Sequence, residues 1–211
     1  MSLRPLAIIP ALFLAAASPA QRGESDALVS PQSTISKADF FKSGIAPARV
    51  PARYDVTIVY FFDYQCPQCR RFTPDVESVM REDTRVRWIY RDIPSISPKS
   101  RDAARVAIAA SFQNRHHAFH HALMISKGRM TDATIRAAAA RAKVDWPRLQ
   151  RDLKVRGKQI DALIDHNMAL ADTAGIVGTP AFIVGETMAD GALDYRNLKL
   201  EIADARKAAR R

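Results

Sequence analysis

The stretch Asp55-Val-Thr-Ile-Val-Tyr-Phe-Phe-Asp-Tyr-Gln-Cys-Pro-Gln-Cys69 decides how this chain is read. Its first eight residues are rich in β-branched and aromatic side chains, the composition of a buried strand. Cys66-Pro67-Gln68-Cys69 then opens a segment with Phe72, Val76 and Val79 at helical spacing, and Pro67 suits a first helical turn. Val86-Arg-Trp-Ile-Tyr-Arg91 reads as a second strand. A strand–helix–strand run with so long a connection predicts a parallel βαβ unit.

The two cysteines therefore fall where a strand gives way to a helix. Free N–H groups and the positive end of the helix dipole stabilise an anion there, so the Cys66 thiolate is favoured. Two intervening residues bring Cys69 back beside Cys66 within one turn. The expectation is an exposed, attacking Cys66 and a Cys69 that resolves a mixed disulfide. A structural staple is the weaker reading: so short a loop gains roughly 2 kcal/mol, against about 4 or more for a long one. A zinc half-site is the other alternative.

Outward from this core the chain has 211 residues, 47% hydrophobic and 26% charged, with only these two cysteines. That excludes a disordered chain, a multi-span membrane protein and a disulfide-dense scaffold. Arg4, the apolar run Leu6–Ala17 and the small residues Ser18-Pro-Ala20 form an export signal, with cleavage expected after Ala20. The formal charge of +10 then falls to +9, with 31 basic against 22 acidic side chains. Export puts the cysteines in an oxidising compartment, where a disulfide persists.

Residues 21–36 read as a flexible leader, and 45–53, with two prolines, as a connector. From Ser100 to about Gly175 only helical patterns occur, over 102–112, 116–126, 132–143, 146–154 and 158–173. The strand pattern returns at Pro180-Ala-Phe-Ile-Val184, Asp190-Gly191 marks a turn, and Tyr195–Arg211 is a final helix. The fold class is α/β: a βαβ half and a β–turn–α half share one sheet, flanked by helices, with an all-helical lobe inserted between them. The boundaries expected are 1–20 signal, 21–36 leader, 37–99 first half, 100–175 lobe and 176–211 second half.

Tyr54–Arg71 resembles the active-site strand and helix start of DsbA-like thiol–disulfide oxidoreductases, which have the thioredoxin fold. Gly178-Thr-Pro-Ala-Phe-Ile-Val-Gly185 is similar to their cis-proline segment. Ile93–Ala110 and Phe119-His-His-Ala-Leu123 resemble their inserted lobe. The resemblance implies a thioredoxin-like fold with a central mixed sheet, Cys66 as nucleophile and Cys69 as resolving thiol. It also implies a cis Thr179–Pro180 bond facing the disulfide, with the Thr179 backbone able to pair with an extended substrate.

One position departs from the family. Many relatives carry a buried acid six residues before the first cysteine, and Tyr60 stands there, a poor base at neutral pH. Asp63 is expected to face away from Cys66, which leaves water or a backbone-linked network to move the Cys69 proton. Gln68 is expected to donate its side-chain amide to the Cys66 thiolate and to leave the disulfide oxidising.

The function expected is a periplasmic oxidase that passes its Cys66–Cys69 disulfide to reduced or unfolded secreted proteins. A quinone-linked thiol oxidase of the membrane would reoxidise it. No cofactor beyond that disulfide, no metal and no nucleic-acid partner are expected. The rivals are a disulfide reductase or isomerase, and a copper- or zinc-handling module using the Cys pair with His116, His117, His120 and His121. Those histidines include two i,i+4 pairs, a spacing that can bind metal, although a plain helix face explains them as well.

Overall fold

A computed structural model describes residues 35–210. The expected signal, and the leader up to residue 34, lie outside the described residues. Ile35, within the expected leader, packs against the core.

The elements run α1 (Lys37–Phe41), β1 (Ala48–Arg49), β2 (Val56–Phe62), α2 (Pro67–Glu82), β3 (Val86–Asp92), α3 (Pro98–Ser111) and α4 (His116–Met124). They continue with α5 (Asp132–Arg141), α6 (Trp146–Thr173), β4 (Ala181–Val184), β5 (Thr187–Asp190) and α7 (Tyr195–Ala208). One five-stranded mixed sheet has the order β1-β3-β2-β4-β5. β2 and β3 pair in parallel, Val56 opposite Val86 through Phe62 opposite Asp92. β4 lies antiparallel to β2, with Phe182 opposite Tyr60. Six of the seven residues of β2 are buried. A near-continuous apolar run is what a central strand covered on both faces requires.

Four differences from the sequence reading have local causes. The connector 45–53 contributes β1, too short for a periodic signal, which pairs antiparallel with β3 at the sheet edge. β5, not read as a strand from the sequence, pairs with β4 through a hairpin turn at Gly185, φ +60°; the expected turn at Asp190-Gly191 lies at the end of β5, where Gly191 has φ +90°. α3 begins at Pro98 rather than Asp102, because Ser97 caps it by accepting the Lys99 N–H.

The fourth concerns α6. It is one helix of 28 residues, where two were expected on either side of Gly157. Gly157 is buried, and a Cβ there would come within 3.1 Å of the Arg105 side chain. The glycine thus permits close approach of α3 and does not break the helix.

The N-terminal helix is held by a buried cation. Arg91, 1% exposed, donates to the carbonyls of Phe40 (3.0 Å) and Lys42 (2.6 Å) at the end of α1, and to Asn167 of α6 (3.1 Å). At the other end of the chain, Arg206 of α7 forks onto Asp83 at 2.7 and 2.9 Å. That contact fixes α7 against the end of α2.

Candidate active site

β2 ends at Phe62, and the next four residues turn the chain into α2. Asp63 organises the turn. Its buried carboxylate accepts the N–H groups of Gln65 (2.7 Å), Ser95 (3.0 Å) and Ile96 (3.1 Å) and the hydroxyl of Ser100 (2.8 Å). As expected it faces away from the cysteines, but its work is structural: it ties the start of α2 to the start of α3. Arg70 adds a second tie, donating to Tyr64 O (2.7 Å) and to Ser126 O beyond α4 (3.0 Å).

Cys66 is the N-cap of α2. Its Sγ accepts the Cys69 N–H at 3.3 Å and, as a thiol, meets the Thr179 carbonyl at 3.1 Å. The peptide bond between Thr179 and Pro180 is cis. Cys66, Pro67, Gln68, Cys69, Thr179 and Pro180, separated by more than a hundred residues of chain, thus meet at one end of β2 and β4. Cys66 is less open than expected, at 5% exposure, because its sulfur turns under the helix start and the Thr179 carbonyl covers it.

The two sulfurs have opposite electrostatics. The Cys66 thiol is lowered to about 5, chiefly by the Cys69 thiol hydrogen bond, against the opposing cost of burial. The Thr179 side chain and the backbone N–H groups of Cys69 and Gln68 lower it further. Gln68 therefore acts through its backbone, and its side chain is exposed. Cys69 is fully buried, and burial, then the hydrogen bond with Cys66, pushes its thiol far up. At neutral pH the pair is one thiolate and one thiol.

Behind Cys69 lies an aromatic and histidine cluster whose role the sequence does not announce. Tyr60 stacks on Phe182 (centroids 4.8 Å apart, 3° between planes), and Phe62 meets His120 edge-on at 4.7 Å. Tyr64 OH is 3.3 Å from His120 Nδ1. Burial, then the neighbouring Cys69 and Cys66 sulfurs, holds the Tyr60 phenol well above its ordinary value, so Tyr60 stores no proton deficit at neutral pH.

The four clustered histidines go separate ways. His116 and His120 are buried and held neutral by burial, His116 at about 3. His117 meets Tyr90 OH at 3.3 Å and His121 meets Glu77 at 2.6 Å. Only part of this is the plain helix face of the sequence reading, because α4 turns His116 and His120 inward. Among the described residues no three His, Cys, Asp or Glu side chains converge as a metal set does. The i,i+4 spacing of His116 and His120 was the available signal for a buried stripe. Glu77 and Asp92 gave none. Burial pushes the Asp92 carboxyl well above the usual range.

The thioredoxin family model matches residues 53–204. The chain belongs to the thioredoxin family. A thioredoxin-like oxidoreductase from Silicibacter pomeroyi superposes with a TM-score of 0.76 at 35% identity, over 82% of this chain and 99% of that one. The thiol–disulfide exchange protein alpha-DsbA2 from Wolbachia pipientis follows at 0.75 and 25%, over 79% and 90%. A periplasmic thioredoxin-like protein from Salmonella enterica serovar Typhimurium scores 0.70 at 25%, over 80% and 94%. The fold is thioredoxin-like, and the relatives in structure are of the DsbA type.

Among curated sequences, a Na(+)/H(+) antiporter NhaA 1 of Salinispora arenicola is 27% identical over 159 residues, 74% of this chain but 24% of the antiporter. This thioredoxin-family chain thus spans about a quarter of the relative it matches. Among the described residues no helix is long and apolar enough to cross a membrane.

Proposed function

We propose that this chain is a periplasmic dithiol oxidase working through Cys66 and Cys69. A thiolate of a reduced, partly unfolded secreted protein attacks Cys66 Sγ and breaks the Cys66–Cys69 bond. Cys69 departs and takes up a proton. A second substrate thiolate then attacks the substrate sulfur of the mixed disulfide, and Cys66 leaves as a thiolate. Two electrons pass to the protein and one disulfide to the substrate. The Thr179 backbone is the segment on which an extended substrate would align. A quinone-linked thiol oxidase of the membrane would restore the disulfide.

The observation that carries this reading is the lowering of Cys66 to about 5 beside a protonated Cys69. A stabilised thiolate is a good leaving group and favours the reduced form, so the disulfide is readily given up. The thiol–disulfide exchange protein among the similar structures supports the chemistry, and the periplasmic one supports the compartment. Oxidised protein mixed one to one with a reduced two-cysteine peptide should convert most of it to its disulfide, and Cys66→Ser should convert none. A peptide that stays reduced, with the same protein able to reduce insulin disulfides, overturns the oxidase reading in favour of a reductase.

A further inference from the structure

Arg70 straps the catalytic turn to the inserted lobe. Its Nε donates to the Tyr64 carbonyl at 2.7 Å, so one side chain closes the segment that holds Cys66 and Cys69 from both ends. The same guanidinium reaches the loop between α4 and α5. It donates to Ser126 O at 3.0 Å, to Ser126 Oγ at 3.4 Å and to Gly128 O at 3.5 Å. That loop is held from its own side too: Ser126 Oγ donates to Leu123 O at 2.6 Å, and Thr134 Oγ1 to Arg129 O at 3.1 Å. Direct bonds therefore fix its place relative to Cys66.

Against the strapped loop lies a groove of about 460 Å³ lined by Ile125, Ser126, Lys127, Thr134, Ala137 and Arg141. Ile125 is 51% exposed at its edge, and Lys127, Arg129 and Arg141 are exposed. Among the described residues none of these three cations lies within ion-pair distance of a carboxylate. The acid nearest them in sequence, Asp132, pairs with Lys99 at 2.8 Å. The groove thus joins positive charge and two hydroxyls to an apolar edge, with no negative charge of its own.

We propose that this groove is a subsite for an acidic stretch of the substrate chain, beside the substrate cysteine that joins Cys66. The inference rests on the thiol–disulfide exchange reading above and adds the substrate's chemistry to it. Carboxylates of the stretch meet Lys127 and Arg141, and an apolar side chain next to them covers Ile125. Arg70 stands one helical turn, roughly 6 Å, past Cys66. About five extended residues, at ~3.3 Å each, cover the way from the sulfur past the Arg70 side chain to the groove. A free inorganic anion would leave Ile125 and Ala137 uncovered, and an apolar peptide would leave the cations unpaired. Complementary charge of this kind acts mainly on the rate of encounter, so a rate is the quantity to read.

Three reduced two-cysteine peptides, differing only in whether the residues flanking the cysteines are Asp and Glu, Asn and Gln, or Lys, are each mixed with oxidised protein below saturation. The second-order rate of disulfide transfer is followed at low and at high salt. We expect the acidic peptide to react ~10-fold faster than the lysine peptide at low salt, and the gap to close at high salt. Lys127→Glu should abolish the preference, and Lys127→Gln should cut it about threefold. Lys158→Glu makes the same change of charge on α6, at a residue that does not line the groove, and should keep the preference. Acidic and lysine peptides that react within about twofold of each other in the parent overturn the subsite. So does a preference that falls as far in Lys158→Glu as in Lys127→Glu, which would mark net charge as its source. A parent protein that oxidises none of the three peptides overturns instead the exchange chemistry on which the subsite rests.

Discussion

Cys66 is a helix cap before it is a nucleophile, and the two roles share one cause. The N–H groups that α2 leaves unpaired point at its sulfur, and the Cys69 thiol adds a hydrogen bond from one turn inward. Thiolate absorbance near 240 nm, or the rate of alkylation by iodoacetamide, should titrate in the reduced protein with a midpoint of about 5. A midpoint near the ordinary ~8.5 of a free cysteine contradicts that account. Cys66 and Cys69 were legible from residue type and spacing, because chemistry at a helix start needs few contacts, whereas the cis Thr179–Pro180 bond was legible only through the family resemblance. The contribution of Gln68 was misread as a side-chain amide, since a backbone N–H leaves no mark on the sequence. Glu77 and the inward turn of His120 were not legible either: they depend on how α4 packs over α2, which no local pattern encodes.

At the scale of elements, long buried segments declared themselves and short edge segments did not. β2 and β3 are buried on both faces and read as strands within one residue of their ends. β1 has two residues and β5 four, and each owes its conformation to the strand beside it. α6 runs unbroken through Gly157, which here answers to a neighbouring helix and does not break its own. Asp63 couples elements remote in sequence, the turn before α2 and the start of α3, through four accepted hydrogen bonds. Asp63→Ala leaves those donors buried and unsatisfied and should cost about 3 kcal/mol, read from the midpoint of urea unfolding. A cost under about 0.5 kcal/mol would show that the turn holds without it. The variant should retain the Cys66 midpoint, since the carboxylate faces away from the sulfur.

For the whole molecule, the Cys66 thiolate links redox state to stability. Its folded value is depressed below the unfolded one. The stabilisation is therefore full above the unfolded ~8.5 and is lost as pH falls through about 5. Reduced protein should melt above oxidised protein at pH 7 by several degrees, with the gap narrowing toward pH 5; an oxidised form that melts higher at pH 7 opposes the account. The formal charge of +10 tells less: a positive surface aids encounter with acidic unfolded chains but names no partner. The central claim is that a capped, stabilised thiolate makes this thioredoxin-family chain a donor of disulfides. The most direct measurement is the reduction potential of the Cys66–Cys69 pair, equilibrated with glutathione at pH 7. The account predicts a value between about −180 and −120 mV, the range of oxidising members of the fold. A value near −270 mV, that of a thioredoxin reductant, would contradict it.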